Sequence, residues 1–115
     1  MCKEYPHWFP ANYCSYFERE EELPIDQHQL MALVAPRPLF LSGARHDKWA
    51  DPQSSLYAMQ KASAVYQLYT TPLFIYDSLH YFAPSSTLAF YFRESFHGAR
   101  MNDWKAIVAF LHAHF

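Results

Sequence analysis

The chain has 115 residues and a formal net charge of −2, a length sufficient for one domain with its own core. Because the charge balance is slightly acidic and no basic run occurs, the composition argues against a nucleic-acid-binding protein. No apolar run approaches the ~18 residues of a membrane-spanning helix, and the opening MCKEYPHWFP lacks the apolar core of a secretion signal.

Aromatic residues make up 19% of the chain, whereas glycine occurs only twice, at Gly43 and Gly98. Aromatic side chains at this density favour a tightly packed core or a carbohydrate-facing surface. The two isolated glycines exclude a G-x-S-x-G nucleophile elbow within these residues, because that turn needs a glycine on each side of the serine.

The first third of the chain contains one clear helix signal. Residues 1–24 are predicted to be irregular, with a short helical turn near residues 13–20, because prolines and scattered aromatics interrupt any regular pattern. A helix is predicted over residues 26–34, because Asp26 followed by Gln29 matches a capping box. The side chains expected to face inward are those of Leu30, Met31 and Val34.

The first predicted strand covers residues 38–43 and is apolar almost throughout. A continuous apolar run indicates a strand covered on both faces, as in a parallel sheet. The strand leads into a polar loop at residues 45–51. Asp51 then precedes Pro52 and fits the N-cap of a helix predicted over residues 53–69.

A second strand, rich in aromatic residues, is predicted over residues 88–93. Before it lie an apolar run at residues 73–76, whose state the pattern does not decide, and a predicted loop at residues 77–87.

The last helix is predicted over residues 102–115, with Asn102 or Asp103 at its start. Its apolar stripe is expected to consist of Trp104, Ile107, Val108, Leu111 and Phe115. Strands and helices therefore alternate over the last two-thirds of the chain. This order predicts an α/β fold with two parallel strands.

An acidic residue and a histidine follow the two predicted strands. Asp47 comes after the first strand and His97 after the second, so both are expected at the carboxyl edge of one sheet. This is the second half of a Ser…Asp…His triad in the chain order of α/β-hydrolases. Two plainer interpretations stand beside it: Asp47 could help to cap the following helix, and His97 could be an ordinary surface histidine.

The seven histidines do not form a metal-binding pattern. Neither an H-x-x-x-H pair nor the Cys/His spacing of a zinc site occurs. His112 and His114 lie two residues apart and so point to different faces of a helix. No metal and no other cofactor is therefore expected.

Several spaced motifs together resemble the glucuronoyl esterases of carbohydrate esterase family 15. They are PHWFPANY, LPIDQHQLMALVAPRPLFL, DKWADP, a strand ending in R-x-x-x-H-G, and a helix beginning N-D-W. The motifs agree with the family in order and extend over residues 6–115. The resemblance implies an α/β-hydrolase that cleaves the ester between 4-O-methyl-glucuronic acid of xylan and an alcohol of lignin.

By this resemblance His97 is the general base, Asp47 is the carboxylate after the strand, and Trp49 lies against the glucuronoyl sugar. In parts of the family the working acid lies earlier in the chain, which leaves Asp47 as either the orienting acid or an auxiliary. The family's serine, its neighbouring arginine and the oxyanion donors have no counterpart here. Residues 1–115 are therefore expected to be a single partial domain, the C-terminal portion of a catalytic domain that alone does not turn over ester.

Two other interpretations stay open on the sequence alone. The chain could belong to another carbohydrate esterase of the α/β-hydrolase fold, such as an acetyl-xylan esterase, or it could be a shortened, non-catalytic interaction module. Because two strands without their neighbours expose a sheet edge, we expect either a missing N-terminal segment or self-association. Full-length relatives are expected to be secreted or periplasmic, although the chain itself indicates no compartment.

Overall fold

The computed structural model describes residues 3–69 and 82–115 of the chain. The apolar run at residues 73–76 and the first part of the predicted loop, residues 77–81, lie outside these ranges. The elements are α1 (Ala11–Cys14), α2 (Gln27–Ala32), β1 (Leu39–Ala44), α3 (Pro52–Tyr66), β2 (Leu88–Arg93) and α4 (Met101–His114). Single 3-10 turns lie at Pro6–Trp8 and Glu20–Glu22. None of the helices in the described ranges is long and apolar enough to cross a membrane.

β1 and β2 are parallel neighbours in one sheet, as predicted. The strand predicted over residues 88–93 is confirmed, and the strand predicted over residues 38–43 is shifted by one residue. The register ends with Ala44 opposite Arg93. Because both strands end at the same level, the loops that follow them start side by side.

The prediction that the first strand is covered on both faces is wrong for β1. Ser42 is exposed, and most other β1 residues are only partly buried. The well-covered part of the sheet is the start of β2, Leu88–Phe90. A continuous apolar run indicates which side chains can be buried, but the packing of neighbouring elements decides the exposed fraction of each side chain.

α3 packs on one face of the sheet and forms the main core. Met59 and Tyr66 are fully buried and pack with Leu88 and Phe90. Full burial of an apolar side chain of this size stabilises the fold by about 1.5–3 kcal/mol. The Tyr66 hydroxyl donates a hydrogen bond of 2.9 Å to the Arg37 carbonyl, and burial raises the pKa of the Tyr66 phenol. The hydroxyl is therefore satisfied although its ring lies in the core.

α4 lies against the opposite face of the sheet, where the rings of Phe110 and Phe40 have centroids 5.4 Å apart. Its buried residues are Asp103, Ala106 and Phe110, which are spaced to lie on one face. The predicted stripe is therefore wrong as the buried face. Its exposed members are Trp104, Val108, Leu111 and Phe115. The hydropathy pattern predicted the wrong buried face because the face that is buried contains a carboxylate, Asp103.

Helix ends also differ from the predictions. α2 ends at Ala32 rather than at residue 34, and α3 ends at Tyr66 rather than at residue 69. Arg100, rather than Asn102 or Asp103, is the N-cap of α4. Apolar periodicity defines the middle of a helix better than its last turn, which commonly changes to another type of turn. The short helical turn predicted near residues 13–20 lies earlier, at Ala11–Cys14.

The capping box predicted at the start of α2 is confirmed. The Gln29 side-chain oxygen accepts from the Asp26 N–H at 2.8 Å, and the Asp26 carboxylate accepts from the Gln27 N–H at 2.6 Å. Met31 packs against the core as predicted, but Leu30 is exposed. A helix this short has one contact face, and that face lies on α3.

Gly43 lies where β1 passes closest to the start of α3. A Cβ at this position would lie 2.6 Å from the Pro52 Cβ and 3.3 Å from the Phe90 ring. We therefore expect Gly43→Ala to lower the free energy of unfolding by about 1–3 kcal/mol, because overpacking forces the backbone to shift. Urea denaturation measures this change. Ser42→Ala, at an exposed neighbouring position, is the control and should stay within about 0.5 kcal/mol of the parent. Equal stability of Gly43→Ala and the parent would contradict this close packing.

Candidate active site

Backbone and side-chain contacts join the loops that follow β1 and β2. The Arg45 N–H donates to the Arg93 carbonyl at 2.9 Å, and the His46 N–H donates to the Ser95 carbonyl at 3.0 Å. Beside them, Arg45 Nε lies 2.7 Å from a Glu94 carboxylate oxygen. The parallel pairing thus continues past the strand ends and fixes the position of one loop against the other.

The joined loops bring Asp47 and His97 into contact across a separation of 50 residues in the chain. His97 Nδ1 lies 2.7 Å from Asp47 Oδ2. The second Asp47 oxygen, Oδ1, accepts from the Ala50 N–H at 3.3 Å. Asp47 is 9% exposed, whereas the His97 side chain is 87% exposed. The site therefore consists of a buried carboxylate that holds one nitrogen of an accessible imidazole.

The hydrogen bond from His97 lowers the pKa of the Asp47 carboxyl, and the bond from the Ala50 N–H acts in the same direction, although burial opposes both. An ionised carboxylate only accepts hydrogen bonds, so this network assigns the proton of the neutral imidazole to Nδ1. The lone pair is then on Nε2, for which the described residues provide no hydrogen-bond partner. This nitrogen is free to accept a proton from a hydroxyl group.

The lowered pKa of Asp47 predicts a pH-dependent stability. Its ordinary value is 3.8, and the folded chain holds it lower. The stabilisation is therefore fully present above the ordinary value and is lost as the pH falls through the folded value. We expect Asp47→Asn to be less stable than the parent near neutral pH, and the two stabilities to converge as the pH falls below 3.8. Urea denaturation over a pH series measures the difference, and a difference that does not vary with pH would contradict the expectation.

Asp51 performs the capping role that the sequence left open for Asp47. It is the N-cap of α3, with left-handed backbone angles (φ 38°, ψ 68°), and its carboxylate accepts from the Ser54 N–H at 3.2 Å. The Ser54 side chain, followed by this bond from the Ser54 N–H, lowers the pKa of the Asp51 carboxyl, although burial opposes them. Because Asp51 caps the helix, the Asp47 carboxylate is available to His97.

Trp49 lies in the same loop, two positions after Asp47, and is 62% exposed. Tyr5 contacts it edge-on with ring centroids 5.9 Å apart, and Trp8 stacks on Tyr5 at 4.6 Å. Sequence reasoning did not predict that Tyr5 contacts Trp49 or that Trp8 stacks on Tyr5. The aromatic density of the N-terminal motif was the only signal. An exposed cluster of flat rings of this kind suits the C–H face of a sugar.

A groove of about 340 Å³ begins beside Trp49. It continues past Asp51 and Ser54 toward Asp26 and His28, and is therefore bounded by α2 and by the start of α3. Neither Asp47 nor His97 lines it. Within residues 3–69 and 82–115, no three His, Cys, Asp or Glu side chains are grouped closely enough to hold a metal ion.

Sequence reasoning also missed the roles of Arg93 and Asp103. The two side chains form a salt bridge of 2.6 Å between the end of β2 and the first turn of α4. Arg93 was visible in the R-x-x-x-H-G motif, but its partner is not recognisable from a local pattern. The loop that carries His97 lies between these two residues in the chain.

Comparison with known proteins identifies a family. The family profile described as "Glucuronyl esterase, fungi" matches residues 1–70. A carbohydrate esterase from an unknown prokaryotic organism is 38% identical over an alignment 114 residues long, which covers 96% of this chain and 26% of that protein. The 4-O-methyl-glucuronoyl methylesterase of Hypocrea jecorina (strain QM6a) is 40% identical over 60 residues, 52% of this chain and 13% of that protein.

Solved structures with similar folds agree with this. A promiscuous CE15 esterase from a marine bacterial metagenome matches with a TM-score of 0.91 and 37% identity, over 99% of this chain and 29% of its own. A glucuronoyl esterase from Solibacter usitatus matches with a TM-score of 0.83 and 31% identity, over 96% and 29%. The predicted α/β-hydrolase class is thereby confirmed. The chain spans less than a third of the length of each of these proteins.

Proposed function

Because the chain belongs to the glucuronoyl esterase family, we propose that it supplies part of the active site of a carboxylic ester hydrolase. The substrate is an ester between 4-O-methyl-glucuronic acid of xylan and an alcohol of lignin. His97 is the general base, Asp47 orients it, and Trp49 binds the sugar. The 2.7 Å contact between His97 Nδ1 and Asp47 Oδ2 at the carboxyl edge of a parallel sheet is the observation that carries the proposal.

The nucleophile is a serine outside these 115 residues, since no G-x-S-x-G turn occurs among them. We place residues 1–115 in the C-terminal portion of the catalytic domain, and the preceding portion supplies the serine and the oxyanion donors. The small share of the relatives that the chain spans, 26% of the prokaryotic carbohydrate esterase, supports this division.

In the proposed reaction, His97 Nε2 takes the proton of the serine hydroxyl while the serine oxygen bonds to the ester carbonyl carbon. The bond to the alcohol oxygen then breaks, and the imidazolium returns its proton to the departing alcohol. A water molecule then gives a proton to His97 Nε2 while its oxygen bonds to the acyl carbon of the acyl-enzyme. The bond to the serine oxygen breaks, the imidazolium returns the proton to that oxygen, and the glucuronic acid is released. Asp47 stays ionised and stabilises the imidazolium. A base of this kind typically contributes about 10²–10⁴ in rate.

Trp49 binds the sugar half of the ester. Its exposed indole lies in the loop that carries Asp47, and Tyr5 supports it from one side. The apolar C–H face of a pyranose ring packs on such a surface, which would place the glucuronoyl carboxyl group near the catalytic pair.

A chimeric enzyme tests the proposal. In the prokaryotic carbohydrate esterase, the segment that matches this chain over 96% of its length is replaced by residues 1–115. We expect the chimera to hydrolyse benzyl glucuronate and the isolated chain not to do so. Acetylated xylan is the second substrate.

Each outcome of the chimera assay separates the interpretations. A chimera that has the parent's circular dichroism spectrum but hydrolyses neither substrate would identify the chain as a non-catalytic module. Hydrolysis of acetylated xylan alone would overturn the glucuronoyl substrate and favour an acetyl-xylan esterase.

A further inference from the structure

Arg93 is the last residue of β2, and its side chain contacts the loop that carries His97. Its Nη2 donates to the Phe96 carbonyl at 3.1 Å and also to the Gly98 carbonyl. These two carbonyl groups belong to the residues immediately before and after His97. One guanidinium nitrogen therefore holds the backbone on both sides of the imidazole.

Asp103 fixes the guanidinium in turn. Its Oδ1 lies 2.6 Å from Arg93 Nη1, and its Oδ2 accepts from the Arg100 N–H at 2.5 Å. Asp103 is 2% exposed and the Arg93 side chain is 12% exposed. A single buried carboxylate thus links the end of β2 to the N-cap of α4. The loop that carries His97 begins at the first of these points and ends at the second.

Stability alone is a weak reason for this arrangement. Removing two charges from water carries a large desolvation cost, and a buried ion pair is often no more stabilising than apolar residues of similar volume. The guanidinium has a specific advantage, because its rigid fork binds a carboxylate and backbone carbonyls at the same time. A lysine ammonium offers a point charge without this fork.

His97 needs such support. Its side chain is 87% exposed, so packing against other side chains does not hold it in place. Gly98 next to it has a φ of +108°, a conformation that other residues rarely adopt. The contact with Asp47 nevertheless requires the imidazole to be placed within about 0.5 Å.

We propose that Arg93, held by Asp103, is a positioning residue that fixes the His97 loop so that the imidazole meets Asp47. The inference rests on the proposed function for its effect on catalysis. Its structural part, the orientation of the His97 ring, is independent of that function.

Arg93→Lys tests the proposal, with Arg37→Lys, an exposed arginine elsewhere in the chain, as the matched control. The first readout is the ¹⁵N spectrum of the His97 ring in the labelled 115-residue chain, assigned with His97→Gln. In the parent and in Arg37→Lys, we expect separate Nδ1–H and Nε2 shifts, the signature of one tautomer. In Arg93→Lys, we expect the two shifts to move toward each other, because the ring leaves Asp47 part of the time.

The second readout is hydrolysis of benzyl glucuronate by the chimera. Misplacement of a catalytic group costs about 10²-fold in rate, so we expect Arg93→Lys to lower kcat by this factor and to leave KM nearly unchanged. An inactive parent chimera combined with a changed ring spectrum would support the positioning role and count against the proposed function. An unchanged ring spectrum in folded Arg93→Lys would overturn the positioning role, whatever the activity.

A double variant covers the case in which Arg93→Lys does not fold. Arg93→Met combined with Asp103→Asn leaves no unpaired buried charge, and the Asn side-chain oxygen can still accept from the Arg100 N–H. We expect the same change in the His97 ring spectrum, with the backbone amide spectrum of α3 unchanged. A single-tautomer spectrum in this folded variant would overturn the proposal.

Discussion

Replacement of His97 by Gln is expected to abolish ester hydrolysis by the chimeric enzyme while the chain still folds. A Gln side chain can donate a hydrogen bond to Asp47, but it cannot take up a proton from the serine. The side chain is 87% exposed, so little packing is lost. We expect kcat to fall by about 10²–10⁶-fold, the range from the loss of a general base to the loss of a member of a triad.

The measurement is the kcat for benzyl glucuronate, with circular dichroism and urea denaturation to verify the fold. His112→Gln is the matched control, because His112 is an exposed histidine on α4. It should keep the parent's kcat. Activity of His97→Gln within tenfold of the parent would show that another group acts as the base.

Asp47→Asn is expected to lower kcat by about 10³–10⁴-fold, because the amide favours the wrong imidazole tautomer. The Asn side-chain NH₂ group would donate to His97 Nδ1, which then carries the lone pair. The proton would lie on Nε2, the nitrogen that must accept the serine proton. The shape of the side chain is otherwise preserved, so the effect reports the tautomer rather than the packing.

Asp51→Asn is a close control for this change. It makes the same replacement in the same loop, at an N-cap where Asn and Asp are about equally good. Its kcat should stay within about twofold of the parent. If Asp47→Asn also loses less than tenfold, the orienting acid lies outside this chain and Asp47 is an auxiliary carboxylate.

Both expectations depend on the contact between the two loops. The backbone hydrogen bonds from Arg45 and His46 to the 93–95 stretch, together with the Arg45–Glu94 pair, hold the loops side by side. In its proposed role, Arg93 adds a second constraint on the backbone of the loop that carries His97. The imidazole is thus exposed while the groups that orient it are buried, which is the division that the proposed general base needs.

Local chemistry explains what was predictable from the sequence. The capping box at Asp26 and Gln29, the N-cap at Asp51 and the strand over residues 88–93 each depend on residues close together in the chain. The contact between Asp47 and His97 could be expected as well. Two parallel strands in register carry the groups that follow them to one edge, so a local pattern was enough to place distant residues together.

The sequence by itself determined where the two strands and the middles of α2, α3 and α4 lie, and which acid and which imidazole follow the two strands, because these features depend on short-range patterns. Only the tertiary structure decided which face of α4 is buried and which carboxylate holds Arg93. The face containing Asp103, Ala106 and Phe110 is buried in place of the more apolar Trp104 stripe. Burial depends on the partner that a side chain finds, and a carboxylate with a guanidinium partner can lie inside while the neighbouring tryptophan stays exposed.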